Sequence, residues 1–183
     1  MNMQVRAEQL EQNLARGLKA VYTIHGDEPL LAQEAADAVR AAARVAGYSE
    51  RKVFVASGAH FDWSGVLGAA QAMSLFAEKQ LIEIRIPSGK PGKEGSEALQ
   101  RYCVRLSDDV LTLVHLPKLD WQQAKAAWFI ALDAAGVSVR VETLARNALP
   151  AWLAQRLARQ GQRVQPGEAG QQVAFDAVGK EGQ

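Results

Sequence analysis

The fold is decided by the stretch Lys19-Ala20-Val21-Tyr22-Thr23-Ile24-His25-Gly26-Asp27-Glu28-Pro29. Residues 19–25 are mostly apolar or β-branched, which predicts a buried strand. Gly26-Asp27-Glu28-Pro29 breaks that strand, and a helix is predicted from Pro29 to about Ala46, closed by Gly47. Nucleotide-binding α/β proteins place their phosphate-binding loop in such a strand, tight turn and helix.

Strands and helices alternate along most of the chain. Five strands are predicted, at residues 19–25, 52–56, 80–86, 110–116 and 137–141. Helices are predicted at residues 6–16, 29–46, about 62–73, 96–106, 122–135 and 149–160, with a weak one at 168–178. This order favours a five-stranded parallel sheet with helices on both faces, and the continuously apolar run 110–116 is expected at its centre. The alternation stops after Glu142, so we expect an α/β domain over residues 1–142 and the start of a small helical domain over 143–183.

The phosphate-binding turn lacks the residues that such a loop needs. A Walker A loop requires a glycine, four residues, and then Gly-Lys-Ser or Gly-Lys-Thr. With Gly26 as the first glycine, those last three positions hold Leu31, Ala32 and Gln33. They offer no lysine for the phosphates and no hydroxyl for Mg²⁺. Asp27 and Glu28 put negative charge where an anion would otherwise be favoured, so we interpret them as helix caps of an empty site.

The companion motif is absent as well. A Walker B strand ends in a carboxylate that holds Mg²⁺, whereas the strand at 110–116 leads into His115-Leu116-Pro117. Because two independent motifs are missing, we expect no ATP hydrolysis and no intrinsic catalysis. The alternative is a small nucleotide- or ligand-binding α/β enzyme that uses the turn Gly26–Pro29.

Composition excludes several classes of protein. The net charge of +1 argues against a strongly basic nucleic-acid binder. Cys103 is the single cysteine and the three histidines are far apart, so we expect no disulfide, no metal and no cofactor. No apolar run reaches the length of a membrane span, and the N-terminal residues lack the apolar core of a signal peptide. We therefore expect a cytoplasmic protein without a membrane partner.

A few polar and aromatic residues have a simple structural interpretation. The segment Pro87–Gly95 is rich in Ser, Gly, Lys and Pro, which favours a flexible solvated loop. A weak contact of Lys90 and Lys93 with a DNA backbone is the minor alternative. Glu83 and Arg85, on the polar side of the strand at 80–86, are expected to pair with neighbours. The core or a domain interface is expected for three tryptophans, Trp121, Trp128 and Trp152.

The stretch Gln71-Ala72-Met73-Ser74-Leu75-Phe76 permits two interpretations. It follows a helix, precedes a strand, and places two large apolar side chains side by side. In the first interpretation the helix end buries Leu75 and Phe76 under the sheet. In the second the pair is a short anchor that fits a hydrophobic pocket of a partner. Residue types alone favour burial, because apolar residues in connecting segments are usually incidental.

Several collinear segments resemble the bacterial DNA polymerase III delta subunit family, a family of clamp-loader proteins. The matching segments are Ile24–Leu31, Phe61–Trp63, Ser74–Lys79, Pro117–Asp120, Ala127–Phe129 with Gly136–Val137, and Leu149–Leu153. They cover roughly residues 19–160. No single segment is decisive, but their common order makes the resemblance specific.

The resemblance implies a clamp-loader AAA+ fold, of the P-loop NTPase type, with a degenerate phosphate loop that holds no nucleotide. It implies a helical lid after the α/β domain and a subunit of the polymerase that opens the sliding clamp without hydrolysing ATP. In this family the segment that ends in Ser-Leu-Phe binds the sliding clamp, the beta subunit. The corresponding anchor residues are Leu75 and Phe76, with Gln71, Met73 and Ser74 in support, so partner binding becomes the favoured interpretation.

The family also sets limits on what is expected of this chain. Its members continue through a complete lid and a collar domain that joins the other clamp-loader subunits, whereas residues 173–183 match only loosely. We therefore expect clamp binding from the chain as given, and binding to other loader subunits from a longer one. A purely structural loader subunit is a third option, which the Ser-Leu-Phe segment argues against.

Overall fold

Strands and helices alternate through the computed structural model, which describes residues 3–58, 60–71, 79–143 and 149–159. The strands are β1 (Met3–Arg6), β2 (Val21–Gly26), β3 (Tyr48–Val55), β4 (Lys79–Arg85), β5 (Val110–Pro117) and β6 (Val137–Val141). The helices are α1 (Leu10–Ala15), α2 (Pro29–Val45), α3 (Trp63–Gln71), α4 (Gly92–Val104), α5 (Trp121–Ala124), α6 (Ala127–Ala135) and α7 (Leu149–Arg159). A 3-10 turn at Ala7–Gln9 precedes α1.

The described strands form one parallel sheet in the order β1-β6-β2-β5-β4-β3. The predicted α/β class is confirmed, and β5 lies inside the sheet as its apolar sequence indicated. The predicted number of five strands is wrong, because β1 adds a sixth beside β6, with Met3 opposite Val137. A four-residue edge strand is too short to display the alternation that reveals a strand in a sequence.

Helices cover both faces of the sheet. On one face, α3, α4 and α6 contribute large buried side chains, including Trp63, Leu99, Tyr102, Trp128 and Leu132. They belong to the same buried cluster as Ile82, Ile84 and Ile86, the side of β4 that the sequence predicted to be apolar. On the other face, α2 buries Leu31, Ala35, Ala36, Val39 and Ala43.

The polar side of β4 is more buried than its alternating sequence indicated. Glu83 is fully buried and forms ion pairs with Arg40 and Arg51. The expectation that Glu83 pairs with its neighbours is therefore confirmed. Its burial could not be expected from the strand alone, because Arg40 lies 43 residues earlier in the chain.

Three predicted helices have different bounds in the structure. The helix predicted at 6–16 begins only at Leu10, because Arg6 ends β1 and the 3-10 turn follows it. Helix α4 begins at Gly92 rather than at residue 96, so the predicted loop Pro87–Gly95 is helical in its last part. Position 95 within this helix requires a glycine, because a β-carbon there would lie 2.6 Å from ring atoms of Trp63. Glycine therefore permits close packing of α3 on α4. The helix predicted at 122–135 is divided between α5 and α6.

The division of that helix changes the environment of its tryptophans. Trp128 is buried in α6, as predicted. Trp121 begins α5 and is 72% exposed, so the core is wrong for it, and the alternative of a domain interface stays a prediction. The Lys125 ammonium lies 4.0 Å from the centre of the Trp121 ring, a cation–π geometry that suits a surface position.

The chain divides into two compact units, Met1–Glu142 and Thr143–Gln183. In the second unit the structure describes α7, close to the helix predicted at 149–160. The Arg156 guanidinium lies 4.7 Å from the centre of the Trp152 ring within this helix. The weak helix predicted at 168–178 lies outside the described residues. None of the helices in the described ranges is long and apolar enough to cross a membrane.

Candidate functional site

The turn Gly26–Pro29, which we call the capped turn, is closed by backbone packing. Gly26 has φ +150°, and a β-carbon on it would lie 1.7 Å from the Val141 carbonyl oxygen. Gly26 pairs with Val141 in the register of β2 and β6. Glycine is therefore required for the close approach of β2 and β6, a structural reason that involves no phosphate.

Both carboxylates of the capped turn have partners within the protein. The Glu28 carboxylate accepts a hydrogen bond from the Leu30 backbone N–H at 3.2 Å, so Glu28 is the predicted helix cap. Asp27, the other predicted cap, forms an ion pair across the turn: its Oδ2 lies 2.7 Å from Lys118 Nζ. This ion pair raises the pKa of Lys118. The cation beside the turn is thus paired with a carboxylate of the turn itself.

The three Walker A positions serve helix α2 instead of a ligand. Leu31 is buried, Ala32 is half-buried, and Gln33 donates hydrogen bonds to the Asp37 carboxylate at 3.1 and 3.2 Å. The two strands on that side of β2 end without a carboxylate, β5 in His115-Leu116-Pro117 and β4 in Arg85. The described geometry thus gives no support to the alternative of a nucleotide-binding enzyme at Gly26–Pro29.

A cleft of about 360 Å³ beside the capped turn contains His25. His25 Nε2 lies 2.9 Å from Ser138 Oγ, and the imidazole packs edge-to-face on Phe129 with 5.3 Å between ring centres. Burial, and secondarily the Arg140 charge, lowers the pKa of His25 to about 4, although Glu142 opposes the shift. The imidazole is therefore neutral at physiological pH and has a packing role. No group of three His, Cys, Asp or Glu among the described residues could hold a metal.

The predicted clamp-binding residues fall mostly outside the described part of the chain. Gln71 is the exposed last residue of α3. Met73, Ser74, Leu75 and Phe76 belong to residues 72–78, which lie outside the described ranges. The anchor role of Leu75 and Phe76 therefore stays a prediction, and the structure describes the residues on either side of it.

Those flanking residues are held together by a buried hydrogen bond. Gln80, the second residue of β4, is buried and its Nε2 donates to the Ala69 carbonyl oxygen in the last turn of α3 at 2.8 Å. The Gln80 backbone N–H also donates to the Asp109 carbonyl at 2.9 Å, which fixes the start of β4 beside β5. We call Ala69–Gln71 and Lys79–Gln80 the two stems.

The second stem is also fixed to the edge strand. Lys79 lies opposite Tyr48 in the β3–β4 register, with its Nζ 5.3 Å from the centre of the Tyr48 ring. The Tyr48 hydroxyl in turn donates to the Asp108 carbonyl at 3.2 Å. Both stems therefore lie at the amino-terminal edge of the sheet, whereas the capped turn lies at its carboxyl-terminal edge.

Sequence reasoning did not identify Gln80 as part of the site. The sequence contains one indication of its role, because Gln80 shares its side of the strand with Ile82, Ile84 and Ile86. A polar residue among core positions needs a hydrogen-bond partner. The Ala69 carbonyl is that partner, and only the fold brings it within reach.

Comparisons with known proteins agree on one family. Residues 22–142 match the family model described as DNA polymerase III, delta subunit. The chain is 39% identical over 149 residues to DNA polymerase III subunit delta of Escherichia coli K12, covering 81% of the chain and 43% of that relative. It is 29% identical over 157 residues to the subunit of the same name from Haemophilus influenzae, covering 84% of the chain and 45% of the relative.

The fold agrees with a solved structure. The Bacillus subtilis DNA clamp loader delta protein superposes with a TM-score of 0.66 at 15% identity, over 89% of this chain and 50% of the solved chain. At that identity the likeness concerns the fold. The chain spans less than half the length of the two sequence relatives.

Proposed function

The chain belongs to the DNA polymerase III delta subunit family, and on that premise we propose that it binds and opens the sliding clamp of the replicative polymerase. Leu75 and Phe76 would insert into a hydrophobic pocket of the clamp, the beta subunit, and Gln71, Met73 and Ser74 would support them. The energy of ATP would come from other subunits of the loader.

The observation that carries this proposal is the fixed position of the two stems. The Gln80–Ala69 hydrogen bond holds α3 and β4 together, and Tyr48 with Asp108 holds the edge beneath Lys79. Seven residues, 72–78, connect the stems. A short connection between fixed ends loses less conformational entropy on binding than a free one, so more of the contact energy appears as affinity.

The expected affinity follows from the two anchor side chains. Burying a Leu or Phe side chain contributes about 1.5–3 kcal/mol, so the pair contributes roughly 3–6 kcal/mol. That corresponds to about two to four decades in the dissociation constant. Two adjacent apolar anchors that carry most of the energy are typical of a binding hot spot.

The capped turn supports a role without ATP hydrolysis. Val141 closes the turn over Gly26, Glu28 caps α2, and Asp27 pairs with Lys118. The two carboxylates and the lysine that lie there are already paired within the protein, Asp27 with Lys118 and Glu28 with the Leu30 backbone N–H. The α/β domain, residues 1–142, would then act as a rigid lever on the open clamp, and residues 143–183 would form part of a helical lid.

Binding to purified sliding clamp by surface plasmon resonance tests the proposal. We expect the double variant Leu75→Ala/Phe76→Ala to bind about a hundredfold or more weakly than the wild type. The matched control is Val45→Ala/Val104→Ala, which removes two exposed apolar side chains from α2 and α4. Equal binding of the anchor variant and the wild type would reject the anchor, and equal losses in both variants would reject its specificity.

Two further partners belong to the proposal. Other clamp-loader subunits would bind a longer form of the chain, since this chain covers less than half of its sequence relatives. Lys90 and Lys93 would make at most a weak contact with a DNA backbone, because both are exposed and the net charge is only +1. Replication takes place on the chromosome, so we propose a cytoplasmic location.

A further inference from the structure

One part of the sheet face beside α2 is exposed. The register of β3 and β4 places Arg51, Val53 and Val55 beside Leu81, Glu83 and Arg85. Val53 and Val55 are 42% and 45% exposed, and the side chains of Arg51 and Arg85 are 46% and 43% exposed. We call Arg51, Val53, Val55, Glu83 and Arg85 the arginine strip.

A buried carboxylate fixes the guanidinium groups of the arginine strip. Glu83 accepts hydrogen bonds from Arg40 Nε at 2.7 Å, Arg40 Nη2 at 3.0 Å and Arg51 Nε at 2.6 Å, and Arg85 Nη2 lies 3.5 Å away. Burial raises the pKa of Glu83, but His115, Arg40 and Arg51 lower it by more, so the carboxyl stays ionised. The guanidinium groups of Arg40 and Arg51 are therefore held in place before any partner arrives.

The arginine strip has more positive than negative charge. Arg40 also pairs with the Asp37 carboxylate at 2.6 Å, so Asp37 and Glu83 together face three guanidinium groups. Arg40 is mostly buried, whereas Arg51 and Arg85 are about half-exposed. The excess charge therefore lies on the two arginines that face solvent.

Two buried nitrogen atoms beside the strip have no hydrogen-bond partner among the described residues. They are Arg85 Nε and His115 Nε2, and the latter is 3.6 Å from Glu83 Oε2, too far for a hydrogen bond. Both residues line a cavity of about 240 Å³ whose other walls include Ile24, Ala32, Pro87 and Pro117. A buried guanidinium N–H without an acceptor is costly, and a carboxylate oxygen would satisfy Arg85 Nε.

We propose that the arginine strip is a docking surface for an acidic segment of a partner protein. Carboxylates of that segment pair with Arg85 and Arg51, and its apolar side chains cover Val53 and Val55. A protein fits better than a nucleic acid for two reasons. Arginine beside exposed apolar side chains is typical of protein interfaces, and the exposed Val53 and Val55 offer no contact to a phosphate backbone.

Nuclear magnetic resonance of the full chain tests the docking surface. The probe is the peptide acetyl-Val-Glu-Val-Glu-Val-amide, and the neutral control is the same peptide with glutamine in place of glutamate. We expect the acidic peptide to shift the Nε–Hε signals of Arg51 and Arg85 and the backbone amides of β3. Arg85→Gln and Arg51→Gln should each weaken binding about fivefold.

A matched variant and a second probe make the result decisive. Arg101→Gln removes an exposed arginine from α4 and should bind the peptide as the wild type does. Val55→Ala leaves the ion pairs intact and should also weaken binding, which covers the case in which an arginine variant fails to fold. Unshifted signals of Arg51 and Arg85, or equal binding by all variants, would overturn the proposal. Tighter binding of a single-stranded oligonucleotide of about 20 nucleotides at the strip would overturn the choice of a protein partner.

Discussion

The contacts that fix the connections between strands and helices differ between the two edges of the sheet. At the carboxyl-terminal edge, the capped turn packs on Val141, and its charges are used by α2 and Lys118. At the amino-terminal edge, the two stems are fixed by Gln80 and Tyr48, and seven residues separate them. The described ends of these two connections are thus fixed in different ways.

Under the proposed function, this difference lets an α/β fold without a phosphate site serve as a binding protein. At the turn where nucleotide-binding folds hold phosphate, Gly26 packs on Val141, while the opposite edge contains the two stems that flank the proposed anchor in sequence. A fold does not determine a function, because the chemistry depends on the residues at each site. Substitutions at each edge can show whether the capped turn is only structural and whether the stems matter for binding.

The largest effect is expected from Gly26→Ala. The added β-carbon would meet the Val141 carbonyl at 1.7 Å, a contact that neither backbone can relieve without separating β2 from β6. We expect a loss of about 4 kcal/mol or more in the free energy of unfolding, measured by chemical denaturation.

Gly47→Ala is the matched control for this clash. Gly47 has φ +89°, and nothing lies within 4 Å of the position that an added β-carbon would take. Only the backbone strain of about 1–2 kcal/mol should therefore reduce stability. Equal losses in the two variants would mean that the contact with Val141 is not what closes the turn.

The next effect concerns His25, whose pKa is lowered to about 4 from the ordinary value of 6.5. Between these values the unfolded chain binds a proton that the folded chain does not, so stability falls as the pH falls from 6.5 towards 4. The contribution is up to about 3 kcal/mol. His25→Gln should remove it, so the difference in unfolding free energy between wild type and variant should change with pH in this window. Parallel pH curves would contradict the buried neutral imidazole.

The sequence predicts those parts of the molecule that depend on local pattern. The strands at β2, β4, β5 and β6 show continuous or alternating apolar residues, and the missing lysine of the capped turn is visible directly. Strand β1 could not be predicted because it is a short strand at the edge of the described sheet, where it pairs with β6. Gly92 and Gly95 indicate a loop when the sequence is considered alone. In the structure, Gly95 lies in α4 and leaves room for the Trp63 ring.

The candidate site depends more on contacts between distant residues. Gln80 hydrogen-bonds to Ala69, 11 positions earlier in the sequence, and Glu83 pairs with Arg40, 43 positions earlier. A strand pattern gives the side of the sheet on which Gln80 or Glu83 lies, but it does not give the partner. The pairing of Asp27 with Lys118 could not be predicted for the same reason, since 91 residues separate them.

A smaller effect is expected from Gln80→Leu at the stems. The substitution keeps the side chain's size but leaves the Ala69 carbonyl without its hydrogen bond, a cost of about 1–2 kcal/mol that buried apolar contact partly offsets. Clamp affinity should fall about five- to tenfold, because the last turn of α3 no longer fixes the first stem. Surface plasmon resonance against the clamp measures this.

Gln100→Leu is its matched control. Gln100 Nε2 also donates to a backbone carbonyl, that of Ser96 at 3.0 Å, but within α4 and away from the stems. Its loss should leave clamp affinity unchanged. If Gln80→Leu also binds as the wild type does while the Leu75→Ala/Phe76→Ala variant is weakened, then the anchor is real and the stems do not position it.

The smallest effect is expected from Lys118→Met at the capped turn. Lys118 and Asp27 form an ion pair that is largely exposed, and such pairs contribute little to stability. We expect no resolvable change in melting temperature, and no shift on addition of magnesium and ATP in either wild type or variant. Without Lys118 the turn carries Asp27 and Glu28 unbalanced, which disfavours a phosphate further. A nucleotide-dependent rise in melting temperature in either protein would reveal a ligand site at the turn, and the carboxyl-terminal edge would then be a binding edge as well.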